Sequence, residues 1–308
     1  MPFAFAQHSQ DAKTPGTYSK FPMKTATLSA TRSILQKLNV HPEKTLGQNF
    51  LIDGNILNII INTANMNAHD EILEIGPGLG VLTEVMAEYA RRLVCVEKDP
   101  RLYAWLKSTY QNTGNIQLIC ADILKLDQEA LIQSGLNKIV SNLPYSTGSA
   151  ILVNFFKANK LPEQITVTIQ HEVAKRMLAT HGKPDFGLLS LWSQLNYKIR
   201  IQKVISPTCF YPAPQVKSAL VQLTRIYSPA LTLISRKFFF ELTKLAFSCR
   251  RKQIKNVFGR IPEAWNLSLD QIIATMNELG INLHSRPEML SINTWVSLAN
   301  ALYRKVKR

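Results

Sequence analysis

Through the middle of the chain, short apolar runs alternate with stretches in which apolar residues recur every three or four positions. Runs of strand length fall at residues 71–75, 93–96, 116–120, 138–141 and 165–169, and helical spacing occupies 80–90, 100–110, 127–134, 148–158, 171–180 and 187–195. Apolar strands separated by helices predict a parallel sheet buried on both faces. The pattern then changes. Residues 198–204 and 216–224 alternate in the β manner and can pair antiparallel around a Pro-rich connection. Upstream, Ile34, Leu35 and Leu38 predict a short helix from Thr31, and Ile56, Ile59, Ile60 and Ala64 an amphipathic helix over 54–66. Beyond Ser228 only helical patterns remain, at 236–247, 250–258, 268–279 and 293–304. The expectation is an α/β domain over 31–227, a small all-helical domain over 228–308, and an aperiodic tail over 1–30. Disorder is expected for that tail; a transit peptide, a non-native start upstream of Met23 or a basic arm touching RNA are the alternatives.

Charge adds a partner. The formal net charge is +15, enough to attract polyanions such as nucleic acid. Residues 206–308 carry 15 basic and 5 acidic side chains, and six basic residues with no acid lie between Lys244 and Arg260. The four cysteines, Cys95, Cys120, Cys209 and Cys249, are widely spaced, so neither a metal site nor a disulfide framework is expected. No apolar run approaches the ~18 residues of a membrane span. A cytoplasmic protein, monomeric by default and without metal or membrane, is the expectation.

The candidate chemistry begins at Glu71–Thr83, where a strand runs into Gly76, Gly78 and Gly80 and then into a helical pattern. Such a turn lets a ligand approach bare backbone. It lacks the dinucleotide fingerprint, because Val81 stands where that motif needs a small residue. A nucleoside ligand without phosphate fits, and S-adenosylmethionine is one. Glu97 ends the second strand, placed to accept both ribose hydroxyls, or else faces solvent in a charged turn. Asp122 ends the third, placed to accept from an adenine amine or to cap the following helix.

The fourth strand ends in Asn142-Leu143-Pro144-Tyr145. The exocyclic amine of adenine is a poor nucleophile, its lone pair being delocalised into the ring. The Asn142 side-chain oxygen and a carbonyl before Tyr145, that of Pro144 or of Leu143, can accept its two N–H groups and favour a pyramidal nitrogen. Tyr145 can stack on a base rotated out of its helix, and Phe210, in the stiffened loop 210–218, would close a clamp from the other side. The structural alternatives are a plain Asn-x-Pro turn and a proline-rigid β connection.

Taken together, residues 31–304 resemble the small-subunit (16S) ribosomal RNA adenine-N6,N6-dimethyltransferases that confer kasugamycin sensitivity. The resemblance rests on Leu46–Leu51, Glu74–Thr83, Glu97, Asp122, Asn142–Tyr145, Gln170–Val173, Phe186–Ser190, Phe210–Ser218 and Ala246–Lys252. It implies a Rossmann-like class I S-adenosylmethionine-dependent methyltransferase sheet followed by a small C-terminal helical domain. Asn49, Leu51, Gly76, Glu97, Asp122 and Asn142 would then contact S-adenosylmethionine, with Asn142 also orienting the target amine and Tyr145 and Phe210 holding the adenine. The implied substrate is two adjacent adenosines in the 3′-terminal hairpin loop of small-subunit rRNA, methylated late in 30S assembly. The basic cluster with Arg250, Arg251, Lys252 and Lys255 would contact RNA. Three positions depart from the family pattern: Ala150 replaces Pro, Lys217 an acid and His171 a Lys. The competing expectations are an erythromycin-resistance type large-subunit methyltransferase, which usually carries Asn-Ile-Pro-Tyr, and a non-catalytic RNA-binding assembly factor.

Overall fold

The computed structural model describes residues 26–42 and 47–306. Most of the tail therefore lies outside the described residues, but its last part does not. Thr27 caps a helix, α1 (Leu28–Lys37), and Ala26 is buried, so the folded chain begins before residue 31. A two-residue strand, β1 (Phe50–Leu51), leads into α2 (Gly54–Ala64), whose first N–H groups are capped by Asp53. The repeating units follow: β2 (Glu71–Ile75), α3 (Val81–Ala87), β3 (Arg92–Glu97), α4 (Pro100–Thr109), β4 (Ile116–Cys120), α5 (Gln128–Gln133), β5 (Lys138–Asn142), α6 (Gly148–Lys157) and β6 (Gln164–Gln170). Then come α7 (His171–Leu178), α8 (Leu188–Asn196), β7 (Tyr197–Ile205), β8 (Phe210–Tyr211) and β9 (Ser218–Arg225).

Seven strands form one sheet in the order β4-β3-β2-β5-β6-β9-β7. The pairs from β4 to β6 are parallel, and β9 runs antiparallel to both of its neighbours. The expected antiparallel pairing across the Pro-rich connection is thus present. The order reverses between β2 and β5, and there the ladder is short: only Ile72 with Lys138 and Leu73 with Ile139 are in register. Further up, the Ile75 N–H donates to Ser141 Oγ at 2.6 Å instead of to a strand carbonyl. The splayed strand ends leave a crevice at the switch point, where ligands of open α/β sheets bind.

At the opposite end of these strands a buried ion pair closes the sheet. Lys138 Nζ lies 2.8 Å from Asp70 Oδ2 and also donates to the Asn65 carbonyl at 2.6 Å, satisfying the C-terminus of α2.

The C-terminal part comprises α9 (Arg236–Ser248), α10 (Ile254–Val257), α11 (Leu269–Glu278) and α12 (Ile292–Val306). Its apolar side merges with α6 and α8 in one core cluster. Trp192 on α8 donates to Thr243 Oγ1 at 3.0 Å, and Arg236 reaches the Phe156 carbonyl at 2.7 Å and Asn196 Oδ1 at 3.1 Å. The expected helix over 250–258 is corrected to the single turn 254–257. Tertiary bonds explain this: the Ile254 and Lys255 N–H groups donate to the carbonyls of Ser285 and Leu283, not to carbonyls four residues earlier.

Candidate active site

The C-terminal ends of β2, β3 and β5 and the 47–51 loop surround one cleft of about 1030 Å³, its open mouth included, a size suited to a cofactor. Asn49, Leu51, Gly76, Glu97, Asp122, Asn142, Leu143 and Pro144 all line it. Tyr145 and Phe210 lie beside it, outside the lining.

Gly76, Gly78 and Gly80 all have positive φ, which the turn requires and side-chain-bearing residues resist. A Cβ at Gly76 would meet nothing closer than Pro144 at 3.9 Å, so the backbone there faces open space. The turn is braced from α4: the Tyr110 hydroxyl donates to the Gly80 carbonyl at 3.0 Å and the Trp105 indole to that of Leu79 at 3.4 Å.

Glu97 is 5% exposed and bonded throughout to backbone. Its Oε2 accepts from the Gly78 N–H at 3.0 Å, and Oε1 from Lys98 and Asp99 at 2.8 and 2.9 Å. Burial raises its pKa against those bonds, which favour the charged form. Oε1 is filled by its two donors, whereas Oε2 keeps a further lone pair for a ligand hydroxyl. Asp122 adopts the capping role: Oδ1 accepts from Leu124 N–H at 3.0 Å in a 3₁₀ turn, Ile123–Lys125, and Oδ2 pairs with Lys98 at 3.0 Å. Its burial acts upward, but the Leu124 bond and the Lys98 ammonium outweigh it and hold the carboxyl below its ordinary range. A carboxylate remains to face the cleft.

Asn142 is held at both ends. Its Nδ2 donates to the Asn49 carbonyl at 2.8 Å, and its Oδ1 accepts from the Thr168 hydroxyl on β6. The Asn49 carbonyl can only accept, which fixes which end of the amide is oxygen. The alternative left open between two carbonyls also narrows. That of Pro144 already receives the Thr147 and Gly148 N–H groups at 3.2 and 2.8 Å, opening α6. No described residue donates to that of Leu143.

The expected aromatic clamp takes another form. Tyr145 and Phe210 meet edge-on, ring centroids 6.3 Å apart at 72°, so no base fits flat between them as they stand. Phe210 is 2% exposed because β8 pairs antiparallel with β1, drawing the ring into the core beside Leu51. Tyr145 is tied through its hydroxyl to Ser218. Holding a base by stacking therefore requires the Tyr145 ring to turn, or the base to stack on one face only.

Of the basic residues assigned to RNA, Arg251 and Lys252 are exposed and Lys255 is half-buried. Arg250 differs: its guanidinium donates to the Pro184 carbonyl and lies 3.8 Å from Glu288 Oε2, which makes it a brace between two loops.

Three contributors had no signal of their own in the sequence. Thr168 and Ser218 are ordinary strand residues until β6 and β9 bring them to Asn142 and Tyr145. Gly47 stands in the Leu46–Leu51 motif, but its function is a close approach: with φ +64°, its missing Cβ would sit 2.7 Å from Ser146 Oγ and 3.0 Å from the Tyr145 nitrogen. Among the described residues no group of three His, Cys, Asp or Glu could hold a metal, and no helix is long and apolar enough to cross a membrane.

The sheet order with its one reversed strand, the glycine turn and the acid closing β3 define a class I S-adenosylmethionine-dependent methyltransferase fold. A dimethyladenosine transferase from Plasmodium falciparum shares it (TM-score 0.69, 23% identity, 81% of this chain and 95% of that one). So does the 23S rRNA methyltransferase ErmE (TM-score 0.58, 24% identity, 82% and 99%). The sequence goes further than the fold. The family model for ribosomal RNA adenine dimethylases matches residues 39–303. Ribosomal RNA small subunit methyltransferase A of Halothermothrix orenii is 34% identical over 288 residues, 91% of this chain and 95% of that protein. The Listeria welshimeri protein of the same name is 35% identical over 283 residues, 90% and 96%. The chain belongs to the ribosomal RNA adenine dimethylase family.

Proposed function

We propose that the protein transfers methyl groups from S-adenosylmethionine to N6 of two adjacent adenosines in the 3′-terminal hairpin loop of small-subunit rRNA. The product is N6,N6-dimethyladenosine, formed late in assembly of the 30S subunit by a cytoplasmic monomer that needs no metal. The observation that carries this reading is the doubly anchored Asn142, at the end of β5, in the same cleft as the glycine turn and Glu97.

The open backbone at Gly76, the free Oε2 lone pair of Glu97 and the carboxylate of Asp122 fit the nucleoside half of S-adenosylmethionine, with Asn49 and Leu51 closing the other wall. When bound, that cofactor supplies an electrophilic sulfonium methyl group. The chain's own residues act on the adenine. Asn142 Oδ1 keeps a lone pair beyond the one Thr168 occupies, and the Leu143 carbonyl is the second acceptor. Accepting both N–H groups favours a pyramidal nitrogen with its lone pair aimed at the methyl carbon. Methyl transfer to that nitrogen would leave it cationic and acidic, and it would then lose its proton to water or a carbonyl. No strong general base is needed; the contribution is orientation and electrostatic alignment. Arg251, Lys252 and Lys255 would contact the RNA.

The test is methyl transfer from labelled S-adenosylmethionine to small subunits from a dimethylation-deficient strain, with deproteinised large-subunit rRNA in parallel and nucleoside mass analysis of both. N6,N6-dimethyladenosine in the small-subunit RNA alone is the expected result. Label confined to large-subunit RNA would move the protein to the resistance enzymes, and no label with RNA binding retained would leave an assembly factor.

A further inference from the structure

The C-terminal helices, with the basic run 250–252 between α9 and α10, pack on the sheet side covered by α6 and α8. The other face carries a second cationic feature. β7 is the edge strand of the sheet among the described residues, and Lys198, Arg200 and Lys203 are all exposed on it. Their cross-strand partners on β9 are Thr224, Gln222 and Leu220, alternate residues that share one face. Lys203 belongs to that face only because of a bulge between Ile201 and Lys203, where Gln202 is the extra residue. Without it, an odd-numbered residue would point the opposite way from Lys198 and Arg200.

This face adjoins α2. Gln222, opposite Arg200, donates to the Thr63 carbonyl of α2 at 2.9 Å. The outer side of α2 presents Asn55, Asn58 and Asn62, and neither α2, β7 nor β9 contains an acid. Among the described residues, none of the three cations has an ion-pair partner. The strip also leads to the active site. β7 ends five residues before Phe210, and Asp53, which caps α2, meets Cys209 through a sulfur–oxygen contact of 3.5 Å. From Lys198 to Lys203 the strand advances along Thr224 to Leu220 of β9, about 14 Å, with neighbouring cations about 7 Å apart.

We propose that this strip holds the sugar–phosphate backbone of the RNA substrate, so that the RNA is gripped from both faces of the sheet around the active-site mouth. The proposal rests on the RNA-methyltransferase reading above. Uncharged asparagines beside spaced cations suit phosphate oxygens, which accept from both. Edge strands also carry charge simply to repel other strands, but glutamate guards an edge as well as lysine does, whereas it repels phosphate.

The experiment uses that difference. The full chain carrying Lys198→Glu, Arg200→Glu and Lys203→Glu is titrated with a small-subunit 3′-terminal hairpin RNA over about 50–200 mM salt. A triple Gln variant is run beside it in case charge reversal impairs folding. The expected result is a binding slope against log salt reduced by about 2–3, at 0.7–0.9 per lost phosphate contact, with S-adenosylmethionine affinity and melting temperature unchanged. Slope and affinity equal to the parent's in a folded variant would overturn the proposal and leave the strip as an edge guard. A parent chain that itself shows no salt-dependent binding to this RNA would overturn the RNA reading, and the proposal with it.

Discussion

Glu74 offers the sharpest test of the physical account, because a carboxyl on the central strand is 1% exposed in the wall of the cleft. Its Oε2 accepts from the Thr83 hydroxyl at 2.6 Å and from the Cys95 thiol at 3.5 Å. Burial, opposed only in part by these two bonds and assisted by the Glu97 charge, pushes its pKa up from 4.5 to about 8. The folded protein thus holds a proton that the unfolded chain releases. The stability this confers is complete below pH 4.5 and is lost as pH rises through about 8. At about 1.4 kcal/mol per pH unit the full loss is about 5 kcal/mol, of which about 3 has gone by pH 7. Glu74→Gln keeps the shape and removes the titration. Urea unfolding of the ligand-free parent and variant from pH 5 to pH 9 isolates the effect in the difference between them, since the other groups titrate in both. The variant should gain on the parent by several kcal/mol across that range. A difference that stays flat with pH would show that Glu74 does not change ionisation between the folded and unfolded states, and would refute the burial argument.

Three further outcomes are expected. Gly47→Ala forces a left-handed Cβ into the Tyr145–Ser146 backbone; the conformation alone costs about 1–2 kcal/mol, and the displaced loop should lower both S-adenosylmethionine affinity and turnover. Isothermal titration that finds parent-like affinity would show the loop to be more compliant than the contacts suggest. Thr168→Val removes the hydroxyl that holds Asn142 Oδ1, so kcat should fall by about tenfold or more with little change in KM, while Thr168→Ser restores it; equal kcat in the Val variant would remove Thr168 from the positioning of Asn142. Arg250→Ala should lower the melting temperature and leave the salt slope of RNA binding unchanged, whereas Arg251→Ala with Lys252→Ala should flatten the slope by about 1–2 at constant stability; the reverse pattern would return Arg250 to the RNA surface.

The sequence was informative where its signal was local. Apolar runs of strand length with helical spacing between them located each sheet strand from β2 to β6: β2, β3, β5 and β6 are buried on both faces and need apolar side chains throughout, while β4, at the edge, is only partly buried. Glycines at alternate positions marked a turn that other residues resist, and Glu97 and Asn142 were legible as polar residues ending otherwise apolar strands. Asp122 was readable only to an ambiguity, ligand or cap, since both uses select the same residue type. The run 250–258 misled because its own pattern is helical, with Ile254, Val257 and Phe258 suitably spaced; only the loop at 283–285, about thirty residues away in sequence, draws off the N–H groups that a helix needs.

By itself, then, the chain determined which segments are strands and helices, where a nucleoside could approach backbone, and which side chains end the strands. Tertiary structure alone decided how those ends act together. The two-residue pairing of β1 with β8 has no periodicity to detect, yet it buries Phe210 and ties it to Leu51 in the cleft wall. Thr168 becomes the partner of Asn142, and Ser218 that of Tyr145, only through the neighbours that β6 gains in the sheet. The bulge at Gln202 likewise sets the face of Lys203 through register with β9. Periodicity is a property of neighbours along the chain, whereas register and close approach are properties of the partner strand, and a single sequence carries the first without the second.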